Sequence, residues 1–144
     1  MKVDFWQLSR DPAAKVVALI AQRVMQSGER MLVVSKDAEQ RAAIAKALWS
    51  TGPESFLANG EHDAPGVERQ PILLSDKPEA ANGATHVVYA DGAWRDAKGF
   101  ARSFLLFDDD TVDAARATWR SLDGTEGLER AFFRQDDGKW TKVA

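Results

Sequence analysis

Two short stretches, residues 31–35 (MLVVS) and 103–107 (SFLLF), are almost uninterruptedly apolar. A strand with one wet face alternates apolar and polar positions, so a run without polar positions needs apolar neighbours on both faces. A parallel sheet covered on both sides by helices meets that need, and the segments between the runs have helical spacing. Residues 3–8 (VDFWQL) alternate and read as a first strand. Asp11 and Pro12 then open a helix as N-cap and first helical residue, Val16, Ile20 and Val24 form its buried stripe with Ala13 and Val17 beside them, and Gly28 ends it. After the second strand, Asp37 caps a second helix, with Gln40 in capping-box position and Ile44, Ala45 and Leu48 facing inward. Strand, helix, strand, helix at this spacing means right-handed crossovers.

Beyond the second helix, residues 60–70 read as an exposed loop, 71–75 (PILLS) and 86–90 (HVVYA) as strands, and 91–99 (DGAWRDAKG) as a turn-rich excursion. The run at 103–107 is followed by a helix from about Thr111 to Gly124 and by two strand-like runs around Asp137-Gly138, a hairpin signal. No repeat or linker divides the chain. The expectation is α/β: one three-layer domain over residues 1–144, with a mostly parallel central sheet and a C-terminal hairpin.

Acidic residues number 22 and basic ones 19, for a formal net charge of −3, the wrong sign for a nonspecific grip on a phosphate backbone. With no cysteine in the chain, thiolate nucleophiles, disulfides and cysteine-ligated metals are excluded. The first ten residues, MKVDFWQLSR, do not read as a signal peptide, and no run approaches the about 18 apolar residues of a membrane helix.

An α/β chain invites a nucleotide site, yet the turn after the first strand, SRDPA, lacks glycine, and neither phosphate-loop pattern occurs. There is no G-x-S-x-G elbow, and His62 and His86 show no ligand spacing to another group. No catalytic, cofactor or metal residue is therefore expected, with one alternative. Asp108, Asp109 and Asp110 follow a buried strand, where magnesium sites occur in α/β folds, although acids there also cap the next helix. On the magnesium reading the protein is a small nucleotide or phosphate hydrolase.

The last helix, TVDAARATWRSL, carries Val112, Ala115, Trp119 and Leu122 as an apolar stripe. Arg116 precedes Trp119 by three residues and Arg120 follows Arg116 by four, so an indole, two guanidiniums and Val112 share one side. The plain reading is a core tryptophan flanked by solvated arginines, with Arg116 paired to Asp113. The sharper reading is a site for an acidic peptide ending in an aromatic residue and a free carboxylate, which arginine holds with two parallel bonds. A second question concerns Trp49 and Phe56, either side of Gly52-Pro53: they close the core under a loop, or they anchor a partner.

The sequence resembles the chi subunit of the bacterial DNA polymerase III holoenzyme, an accessory protein of its clamp loader. The matching pieces are VDFWQL at 3–8, ALW with SFL at 47–57, QPILLSD at 70–76, FLLFDDD at 104–110, ARATWR at 115–120 and GKW at 138–140. The resemblance implies a fold like mononucleotide-binding domains but without nucleotide chemistry, no intrinsic catalysis and no cofactor. It implies binding of the acidic C-terminal tail of single-stranded DNA-binding protein, which ends in Pro-Phe. Arg116, Trp119 and Arg120 stand where the family makes its tail pocket, and Leu105 near a contributing apolar position. Val112 departs from the pattern, since related proteins can carry a basic residue there. The family also binds a small clamp-loader partner, psi, and Trp49, Phe56 and Leu57 match that contact region. Ala58-Asn59 and the loop with Trp94 depart from the pattern on that side. A cytoplasmic location and very weak binding of bare DNA at physiological salt complete the expectations.

Overall fold

The computed structural model describes residues 1–9, 11–50, 57–96, 98–136 and 139–144. Among them the chain forms strands β1 (Lys2–Gln7), β2 (Met31–Val34), β3 (Asn59–Glu61), β4 (Ile72–Ser75), β5 (His86–Tyr89), β6 (Arg102–Phe107), β7 (Glu129–Asp136) and β8 (Lys139–Lys142). Helices α1 (Ala13–Gln26), α2 (Ala38–Trp49) and α3 (Val112–Ser121) complete it, with a short 3-10 turn at Val67–Arg69. The strands make one sheet in the order β3-β4-β2-β5-β6-β1-β7-β8, parallel throughout except for the β7–β8 pair.

The sheet is covered on both faces, which explains the apolar runs. Alternate side chains Trp6, Met31, Val33, Ile72, Leu74, Val88, Phe104 and Leu106 pack with α1 and α2. The intervening ones, Phe5, Leu32, Val34, Leu73, Val87, Tyr89, Leu105 and Phe107, pack with Ala115, Val112 and Trp119 of α3. Each large side chain removed from water in this way contributes about 1.5–3 kcal/mol.

The helices form as their spacing requires, with different ends. Asp11 does not cap α1: Pro12 holds the N-cap position without a side-chain bond. Asp11 instead accepts from Lys15 Nζ at 3.2 Å and from Gln135 Nε2 at 2.8 Å, while its backbone N–H donates to Gln135 Oε1 at 3.2 Å. A tie to β7 outcompetes the local cap. At the other end Gly28 takes φ +79° and donates to the Met25 carbonyl at 3.0 Å. Asp37 does cap α2, accepting from Glu39 N–H at 2.9 Å. Gln40 does not complete the capping box; it donates to the Ala90 carbonyl at 2.9 Å and accepts from Ser35 Oγ, joining α2 to the ends of β2 and β5.

The stretch expected to be loop from residue 60 contributes to an edge strand, β3, held by backbone pairing to β4 that its sequence, Asn-Gly-Glu, does not announce. The helix expected to reach Gly124 ends at Ser121 and continues as turns to that glycine, which has φ +73°. β7 and β8 pair antiparallel from Phe133↔Lys142 to Asp136↔Lys139; the turn expected at Asp137-Gly138 lies outside the described residues.

One charge pair lies inside this frame. Asp4 is fully buried on β1, and Arg102 at the start of β6 donates to its Oδ2 through both Nε and Nη2. Removing the cation strands a buried carboxylate, the costly way to break such a pair. Arg102→Ala is expected to lose about 3 kcal/mol in urea unfolding. A loss under about 0.5 kcal/mol, the scale of an unremarkable surface change, contradicts this account.

Candidate functional site

α3 lies against the sheet with Ala115 buried and Val112, Trp119 and Leu122 half-buried in the cluster around Phe5. Trp119 meets Phe5 edge to face at 5.2 Å and Phe132 of β7 at 5.7 Å between ring centroids. Such contacts fix the ring beyond what burial alone does. The side chains of Arg116 and Arg120 are exposed and make no hydrogen bond or ion pair among the described residues. The pairing of Arg116 with Asp113 considered from sequence is therefore not formed. Two uncommitted guanidiniums thus flank a half-covered indole.

Leu105 has no exposed surface. It supports α3 from β6 beneath and offers nothing to a guest. Val112 remains partly accessible at the first turn of the helix. The structure therefore brings Val112, Arg116, Trp119 and Arg120 to one face and leaves Leu105 under it.

Sequence reasoning missed Arg130. Its guanidinium lies 4.0 Å from the centre of the Trp119 ring, Nη1 donates to the Trp119 carbonyl, and Nη2 donates to Asp123 Oδ1 at 2.9 Å. The cation caps the negative end of α3 and covers the indole face. Its visible signal was strand alternation: Arg130 and Phe132 are two apart on β7, so they emerge on one face.

Trp49 and Leu57 belong to the opposite side of the sheet. Trp49 ends α2 with 49% of its surface exposed, so it does not close the core. Leu57 packs partly against the α1–α2 cluster and donates its N–H to the Leu48 carbonyl at 2.8 Å. Phe56, Gly52 and Pro53 lie outside the described residues.

At the carboxyl ends of β1, β5 and β6 there is an open cleft of about 680 Å³, lined in part by Asp11, Asp91 and Asp108 to Asp110. Asp108 serves the backbone: its Oδ1 accepts from the N–H of Asp110 at 3.0 Å and of Thr111 at 3.2 Å, and from Thr111 Oγ1 at 3.1 Å. The acids at 108–110 do not gather three ligand atoms as a metal site needs; among the described residues Glu61, His62 and Asp63 do, within 4.8 Å. That corrects the expectation that His62 has no ligand-type neighbour. Asp76 also lies 3.5 Å from its Nε2, but both Glu61 oxygens are already 3.2 Å from Arg41 Nε. His86 Nδ1 lies 2.9 Å from Thr85 Oγ1, which donates its own proton to Glu29 Oε2 at 2.6 Å. Burial holds its pKa below the usual 6.5, opposed by Glu29 and assisted by Arg102.

The loop with Trp94 is packed structure. Trp94 meets Tyr89 edge to face at 5.3 Å, and Asp91 accepts from Arg95 Nη1 at 2.6 Å and Nη2 at 2.7 Å.

These features define a covered α/β sheet with an arginine-flanked tryptophan helix, and the model of the family described as DNA polymerase III chi subunit, HolC, matches residues 1–128. The chain belongs to that family. No match was found among curated proteins. The matched region ends after α3, so β7 and β8 lie beyond it. Among the described residues no helix is long and apolar enough to cross a membrane.

The Asp91–Arg95 pair gives the cleft a pH signature. Burial alone raises the carboxyl, but bonds from Arg95, Lys36 N–H and Ala93 N–H outweigh it and hold the pKa below 3.8. The folded state thus favours the carboxylate, so its stabilisation is complete above about pH 4 and is lost as pH falls through the lowered folded value. Asp91→Asn is expected to be less stable at pH 7 and to lose less stability on further acidification, measured by urea titrations across that range. Parallel pH profiles for the two proteins contradict the assignment.

Proposed function

We propose that this chain is the non-catalytic adaptor that connects the DNA polymerase III clamp-loader assembly to single-stranded DNA-binding protein, by holding that protein's acidic C-terminal tail on α3. The carrying observation is the pair of exposed, uncommitted guanidiniums, Arg116 and Arg120, on the helix face that presents Trp119. An ionised tail compensates both cations, and the tail's terminal ring buries against the apolar stripe from Val112 to Trp119. Family membership supports a replication accessory role. The chemistry of the face supports a carboxylate-rich guest, since arginine binds carboxylates in a forked geometry that lysine lacks.

Trp49 and Leu57 supply a second face for psi or another clamp-loader component. An exposed large aromatic at a helix end suits an interface anchor, and it lies across the sheet from α3, so both partners fit at once. The protein acts where replication takes place, in the cytoplasm. The hydrolase alternative is disfavoured by the use of Asp108 as a backbone acceptor.

A short dye-labelled peptide rich in aspartate and ending in Pro-Phe is expected to bind, more weakly as salt is raised. Arg116→Ala is expected to lose about 1.5–3 kcal/mol of that binding, the range for a hydrogen bond to a charged group, with unchanged thermal unfolding. Equal affinity for a peptide lacking the terminal phenylalanine, or for the Arg116→Ala variant, overturns the reading.

A further inference from the structure

Arg130 divides its guanidinium between two tasks. Nη1 holds the carbonyl of Trp119, which keeps the plane over the indole at 4.0 Å. Nη2 points outward to Asp123 Oδ1 at 2.9 Å. The two partners differ in accessibility: the side chain of Arg130 is 22% exposed and that of Asp123 is 75% exposed. The carboxylate is therefore the replaceable half of the pair. It sits on the turn just after α3, beside Arg120, whose carbonyl accepts from the Asp123 N–H at 3.2 Å.

We propose that Arg130 is a third cation of the peptide site, and that in the empty protein Asp123 occupies its outer nitrogen as an internal substitute for a carboxylate of the guest. This rests on the reading of α3 as a peptide site. An exposed ion pair of this kind contributes little to stability. A peptide already gripped by Arg116 and Arg120 presents its next carboxylate at high local concentration, so it displaces Asp123 at small cost. Exchange at Nη2 leaves the Nη1 bond and the cover over Trp119 in place, so the site opens without repacking. Arg130 comes from β7, which follows the matched residues 1–128.

The test measures the same acidic peptide against five proteins with intact thermal unfolding: wild type, Asp123→Ala, Asp113→Ala, Arg130→Ala and Asp123→Ala/Arg130→Ala. Asp113 is exposed on the same helix and makes no ion pair among the described residues, so its removal reports the general effect of one less negative charge. Asp123→Ala is expected to tighten binding about two- to fivefold, the scale of an exposed ion pair, and by more than Asp113→Ala. In the Arg130→Ala background that extra gain should vanish, the signature of direct coupling. A gain equal to that of Asp113→Ala, a weakening by Asp123→Ala, or a gain that persists without Arg130 overturns the inference. Arg130→Lys, which keeps the charge but loses the planar fork, covers the case in which Arg130→Ala unfolds the end of α3. There the Asp123 gain should shrink. If wild type does not bind the peptide, the adaptor reading itself fails. If it binds and Arg116→Ala weakens it while the Asp123 coupling is absent, only the role of Arg130 and Asp123 is lost.

Discussion

β1 is the strand on which both faces of the molecule depend. It pairs in parallel with β6 on one side and β7 on the other, so it joins the body of the sheet to the C-terminal hairpin. Its successive side chains serve opposite layers. Phe5 lies under Trp119 and parallel to Phe132, at 6.3 Å between centroids. Trp6 turns the other way to Phe133 at 5.4 Å and Trp140 at 4.6 Å. A one-residue slip of β1 exchanges these rings and uncouples both layers at once. The buried Asp4–Arg102 pair fixes the register between β1 and β6, because Arg102 reaches the carboxylate only from its place at the start of its strand.

The strands and helices were legible because two-sided burial writes itself as unbroken apolar runs and helices write themselves as stripes. The expected α/β fold, its mostly parallel sheet and its antiparallel end follow from those two periodicities. What was not legible came from contacts distant in sequence. Asp11 has the residue type and position of a helix cap, but Gln135 claims it from the far end of the chain. Gln40 fits a capping box, but the open carbonyl of Ala90 claims its amide. β3 escaped notice because an edge strand of Asn-Gly-Glu is defined by the backbone of its neighbour and not by its own side chains.

The α3 face was legible for a related reason. Arg116, Trp119 and Arg120 are close in sequence, and helical spacing alone places them together. Leu105 lies under α3 and not on the exposed face, since a residue in the middle of a doubly covered strand has no route to solvent. The net charge of −3 makes the exposed arginines more conspicuous. Their confinement to one short helix face also differs from the broad basic surface that a nonspecific DNA binder needs.

The part of the site that sequence could not supply belongs to the hairpin. The match to the chi family covers residues 1–128, and β7, which follows it, finishes the packing of α3 through Phe132 against the indole and Arg130 across its face. The matched region carries Arg116, Trp119 and Arg120, while Arg130 and Phe132 come from the strand after it. The sheet and α3 set where Arg116 and Arg120 stand, and β7 adds the ring of Phe132 and the guanidinium of Arg130 around the indole. β7 is joined to the rest of the molecule by its pairing with β1, by Phe132 and Arg130 against Trp119, and by Gln135 on Asp11, so a change in this strand reaches α3 directly.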